Sequence, residues 1–155
     1  MIPNFRISKY FWFKELTGSN YFPDLVEENE LLAVPIIPDM VDFNREIADC
    51  AREAVGMPII ATSGFRGPEL NKAADGAENS QHTRGLAVDL FRPEWRWDML
   101  HSEIAPKILA AFKLKGIKAK VIIERKGGHT WIHISRFTEL QYWDGIDGVY
   151  TQLAI

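Results

Sequence analysis

Two short stretches constrain this chain more than any other part of it. Leu86-Ala87-Val88-Asp89-Leu90-Phe91 and Trp131-Ile132-His133-Ile134-Ser135 each read as a β-strand with a divided face. Side chains alternate across a strand. Leu86, Val88 and Leu90 therefore share one side and Asp89 points to the other. Ile132 and Ile134 share one side, while Trp131, His133 and Ser135 point opposite. Both Asp89 and His133 thus project from strands whose other face is apolar.

The rest of the chain supplies helices to cover such a core. Ile7 to Ser19 reads as an aromatic-anchored arm and short helix, and Asn20 to Asp39 as irregular, with Pro23, Pro35 and Pro38 as breakers. An amphipathic helix is expected from Asp39, as N-cap, to Gly56, with Phe43, Ile47 and Ala51 on one face. Pro58 to Ser63 reads as a buried strand, Pro68 to Ala74 as a short helix opened by proline, and Asp75 to Ser80 as a loop. Trp95 to Leu114 reads as a long helix stopped by Gly116, with Met99, Ile104, Ile108 and Phe112 on its buried stripe and His101 on a polar face. Ala119 to Glu124 and His129 to Ser135 form a hairpin, and Glu139 to Leu153 a peripheral hairpin around Asp147-Gly148. Strands and helices do not alternate regularly, so the expected class is α+β, with a central, mainly antiparallel sheet and packed helices. At 155 residues, one domain spanning 1–155 is expected.

Bulk properties narrow the function classes. A net charge of −3, without a lysine or arginine run, argues against a nucleic-acid partner. No stretch has the length of a membrane span, and the first residues lack an apolar signal core. The expectation is synthesis in the cytoplasm without a signal peptide. The single cysteine, Cys50, sits in a helix-like run and reads as a buried free thiol. Five tryptophans suit core positions, and also the aromatic walls of a glycan or peptide cleft.

His82 lies just before the first of the two strands, and Gly85 permits a turn that brings it back beside Asp89. His82, Asp89 and His133 then offer two imidazoles and one carboxylate. Such a set suits Zn²⁺ and leaves a fourth position for water. An open zinc site implies hydrolysis more readily than structural support.

Several motifs occur in order around these residues: Phe13-Lys14-Glu15-Leu16 and Ser19; Ser63-Gly64-Phe65-Arg66; Glu69-Leu70-Asn71; Ser80-Gln81-His82 with Gly85-Leu86-Ala87-Val88-Asp89; and Trp131-Ile132-His133-Ile134-Ser135. Together they resemble the zinc D-Ala-D-Ala carboxypeptidases of the peptidase M15 family, especially its phage and bacterial branch of short single domains. The resemblance covers nearly the whole chain. It implies the fold shared by D-Ala-D-Ala peptidases and the hedgehog signalling domain. It also implies that His82, Asp89 and His133 are zinc ligands, and that Arg66 and Ser80 bind the carboxylate or backbone of a peptidoglycan stem peptide. Glu69, Leu70 and Asn71 would shape a loop.

The chain departs from the family at one position. Many relatives carry an acidic residue three positions before the last zinc-binding histidine; here that residue is Thr130. Glu124, which resembles a glutamate often found in this branch, and His129 are the candidates for general base. The expected function is zinc-dependent hydrolysis of peptidoglycan amide bonds, as a phage lysin or a released or virion-associated enzyme. The alternative is a non-catalytic zinc module that binds cell wall or assembles in a phage particle. Sequence does not choose between exopeptidase and endopeptidase action.

Overall fold

The computed structural model describes residues 2–155. Its centre is a six-stranded sheet in the order β1-β2-β4-β3-β5-β6. These strands are β1 (Ile60–Ser63), β2 (Ala87–Phe91), β3 (Ala119–Lys126), β4 (His129–Arg136), β5 (Gln141–Ile146) and β6 (Val149–Leu153). All neighbours are antiparallel except β3 and β5, which run parallel. The result is an α+β fold of the D-Ala-D-Ala-peptidase type.

The helices are α1 (Phe13–Thr17), α2 (Val26–Ala33), α3 (Ile37–Phe43), α4 (Asp49–Val55), α5 (Pro68–Ala73), α6 (Trp97–Met99) and α7 (Ala105–Lys115). One sheet face, made by Val88, Leu90, Val121, Ile123, Ile132 and Ile134, shares a core with Phe43, Ile47, Ile108 and Phe112 from the helices. Gly116, at φ 67°, caps α7 in the left-handed conformation that glycine adopts without penalty. Buried Asp49 fixes the N-terminal arm by accepting hydrogen bonds from the Ser8 hydroxyl at 2.7 Å and the Lys9 amide at 3.0 Å. Cys50 is a buried free thiol, as its helical setting suggests.

Three local expectations are corrected. The segment read as irregular between Asn20 and Asp39 is mostly helical, running through a 3₁₀ turn at Pro23–Leu25, α2, and a second 3₁₀ turn at Val34–Ile36 into α3. Its prolines do not break it, because each occupies the first turn of its element, where a missing N–H costs nothing. Asp39 accordingly lies inside α3 and is not its N-cap. Strand β1 is a partly exposed edge with an irregularity between Ala61 and Ser63, not a buried strand. Lastly, α3 and α4 join through a π-helical turn at Asn44–Ala48, and α6 and α7 through another at Leu100–Ile104. No helix among the described residues is long and apolar enough to cross a membrane.

Candidate metal centre

Sheet register builds the site. Asp89 on β2 pairs directly with His133 on β4, and His133 with Ile122 on β3. The two polar side chains therefore project together from the face opposite the core. His82 arrives from a different element, the 3₁₀ turn Gln81–Arg84. Ser80 caps that turn, its hydroxyl accepting from the His82 amide at 3.2 Å. Gly85 ends it at φ 71°, with its amide bonded back to the Gln81 and His82 carbonyls. A side chain there would also collide with Ile36 and Met40, each 2.7 Å from an ideal Cβ.

This turn brings His82 Nε2 to 3.4 Å from Asp89 Oδ1, while His133 Nδ1 lies 3.0 Å from the same oxygen. One potential ligand atom from each of the three residues falls within 4.8 Å of the others. The second nitrogen of His82, Nδ1, faces the Gly64 carbonyl at 2.7 Å, which fixes the tautomer with Nε2 unprotonated toward Asp89. Burial pushes the His82 pKa down, against the pull of Asp89. Burial alone would push the Asp89 carboxyl up, but the adjacent His82 imidazole and the hydrogen bond from His133 Nδ1 hold it well below the usual carboxylate range. A neutral imidazole beside an ionised carboxylate is the state that a divalent cation requires. The N,N,O donor set fits zinc.

The other candidate residues divide into two groups. Arg66 sits beside the cluster in the Ser63–Gly67 loop, its amide bonded to the His82 carbonyl at 3.0 Å. Its Nε is buried without a hydrogen-bond partner. Burial lowers its pKa, opposed by the negative charges of Asp89 and Glu124. Glu124 lies on the open face of β3, paired with Trp131 and diagonal to His133. Diagonal neighbours on antiparallel strands are about 7–8 Å apart at the backbone, within side-chain reach. Burial raises the Glu124 pKa, with His133 and the Tyr150 hydrogen bond acting in the opposite direction. His129 shares that face but is exposed at the hairpin end of β4. Four strand positions, about 13 Å, separate it from His133. Ser80 serves the turn, since its carbonyl also accepts from the Thr83 hydroxyl at 2.6 Å.

Thr130 is explained by the same alternation. β3 and β4 pair without interruption from Ala119–Arg136 to Lys126–His129, so Thr130 shares the core face with Ile132 and Ile134. No side chain at that position of this strand points at His133. His101, read as a polar-face residue of the helix, is half-buried. Its ring packs edge-on against Trp97 at 4.6 Å between centroids, and its Nδ1 meets the Tyr142 hydroxyl.

Sequence reading missed two residues. Asn29, in the segment expected to be irregular, is buried and clamps the Arg66 loop. Its amide donates to the Thr17 and Phe65 carbonyls at 2.9 and 3.0 Å, and its oxygen accepts from the Gly67 amide at 2.7 Å. Tyr150 on β6 donates a 2.6 Å hydrogen bond to Glu124 Oε1. No local motif marks either residue; only long-range contact reveals them. Asn71, by contrast, shapes its loop as expected, donating to the Ala77 carbonyl at 2.9 Å.

An α+β sheet that brings a buried histidine together with a half-buried aspartate and histidine is compatible with a zinc site. A family model described as Peptidase M15 matches residues 40–135, and the chain belongs to the peptidase M15 family. The matched region contains all three cluster residues, Arg66 and Glu124. No curated protein gives a significant match.

Proposed function

We propose that the chain is a zinc metallopeptidase that hydrolyses amide bonds in peptidoglycan peptides. The observation that carries this reading is the convergence of His82, Asp89 and His133 within 4.8 Å, next to a half-buried arginine whose Nε is shielded and unpartnered. An enclosed structural zinc site would use a fourth protein ligand, and among the described residues the cluster has three members.

His82 Nε2, Asp89 and His133 Nδ1 would hold the zinc, which when bound polarises a carbonyl and acidifies water. Arg66 supplies a guanidinium fork for a peptide carboxylate, since a half-buried cation gains more from an incoming anion than a solvated one does. Glu124 accepts a proton from the attacking water and passes it to the leaving amine nitrogen. Its raised pKa suits it to both transfers. His129 lies too far along the strand for direct transfer, and Ser80 acts chiefly by holding the His82 turn. The half-exposed Trp131 and Trp143 on the same sheet face suit the walls of a peptide or glycan cleft.

The non-catalytic alternative drew on Thr130. The alternation of β4 weakens it, because Thr130 faces the core and Glu124 faces the cluster. Zymography on purified peptidoglycan tests the proposal. Clearing that a chelator abolishes and zinc restores is expected. Stoichiometric zinc binding without cleavage of any wall type would instead establish the binding module.

A further inference from the structure

The β5–β6 hairpin lies beyond residue 135, where the family match ends, yet it reaches into the site. Tyr150 on β6 is directly opposite Gly145 on β5, and Gly145 lies beside Glu124 on β3. All three positions share the open face of the sheet. Two strand spacings, about 10 Å, separate the Tyr150 and Glu124 backbones. The tyrosine ring bridges that gap by passing over Gly145. An ideal Cβ on Gly145 would stand 2.6 Å from Tyr150 Cε1, 2.9 Å from its Cδ1 and 3.3 Å from Glu124 Cγ. Backbone conformation does not demand glycine here, because Gly145 is absent from the positive-φ residues. What the position demands is empty space under the ring.

We propose that Tyr150 is a positioning residue for Glu124, and that Gly145 is the gap through which it acts; this rests on Glu124 being the proton carrier. The hydroxyl donates to Oε1 at 2.6 Å. Fixing one oxygen sets the carboxylate plane and leaves Oε2 to exchange a proton with the attacking water. In the balanced step, the water oxygen bonds to the scissile carbonyl carbon as one water proton moves to Glu124, and that proton passes to the amine nitrogen as the C–N bond breaks, leaving a carboxylic acid and a free amine. Tyr150 keeps its own proton throughout. An unanchored glutamate must be ordered in each turnover, so the loss of this contact falls on the chemical step rather than on substrate binding.

The test uses the full chain with Tyr150→Phe, Gly145→Ala and Glu124→Gln, loaded with zinc and assayed on a synthetic stem peptide ending in D-Ala-D-Ala and on purified peptidoglycan. Tyr150→Phe is expected to lower kcat about tenfold at unchanged KM, the weight of one charge-assisted hydrogen bond. Gly145→Ala should reproduce that loss and add little to it in the double variant. On metal-free protein, a denaturation cycle of Tyr150→Phe with Glu124→Ala should be non-additive by about tenfold in the unfolding constant. Full kcat in Tyr150→Phe, a rise in KM alone, or additive unfolding constants would overturn the positioning role. Full activity in Glu124→Gln would instead remove the assignment of Glu124 on which it rests.

Discussion

The Gly64 carbonyl lies 2.7 Å from His82 Nδ1, and this contact decides which nitrogen of His82 faces Asp89. The carbonyl is itself held by close packing, since an ideal Cβ on Gly64 would stand 2.5 Å from the Leu16 carbonyl oxygen. That neighbour is backbone, and the Phe65 amide bonds to the same oxygen at 2.8 Å. Gly64→Ala therefore has to move the loop and the carbonyl with it. Zinc affinity is expected to fall about 10–100-fold, the usual consequence of losing an orienting partner of a metal-bound histidine. Competition with a fluorescent zinc chelator measures it; unchanged affinity in the folded variant would refute the orienting role.

His82→Ala, Asp89→Ala and His133→Ala should each lose stoichiometric zinc in elemental analysis after gel filtration, with the circular dichroism spectrum retained. Arg66→Ala should keep the metal. Zinc retained at one per chain by both histidine variants would refute the ligand assignment.

Asn29→Ala should be the most disruptive single polar truncation near the site. It strips partners from the Thr17 and Phe65 carbonyls and the Gly67 amide together. Each buried group left unpaired costs about 1–3 kcal/mol, so a loss of at least about 2 kcal/mol is expected in urea denaturation. The Arg66 loop hangs on the same contacts, so peptide hydrolysis should weaken as well.

His101 gives the fold a metal-independent response to acid. Burial lowers its pKa from the ordinary 6.5, with Asp144 opposing. Burial, with Asp144, pushes the Tyr142 phenol up to about 12, so its hydroxyl stays a donor to the neutral imidazole. Between the lowered folded pKa and 6.5 the unfolded chain binds more protons than the folded one. The His101 contribution is therefore complete above pH 6.5 and is lost as pH falls below it. In metal-free protein, His101→Gln should show a shallower decline in melting temperature from pH 7.5 to 5.5 than the parent. Parallel profiles would count against this account.

Much of the site was legible locally because β-strands have a strict period of two. Alternation alone put Asp89 and His133 opposite the apolar faces of their strands, and the register joins them directly. Gly85 after His82 foretold the turn that returns the imidazole, and Gly116 the end of α7. Proline position was harder to read. Pro23, Pro35 and Pro38 signal a break as readily as a helix start, and the choice depends on tertiary packing that buries Asn29, Ala33 and Met40.

Local pattern along the chain marked His82, Asp89 and His133 as candidate donors and carried the α+β class and the two sheet faces, because periodicity acts over a few residues. Tertiary structure alone decided which candidates share a site. It brought Glu124 beside the cluster and carried Tyr150 over Gly145. Those outcomes depend on strand order and register between segments distant in the chain: the antiparallel β2-β4-β3 register for Glu124 and the parallel pairing of β3 with β5 for Tyr150. That pairing is set by the global burial of apolar faces and is written in no single motif.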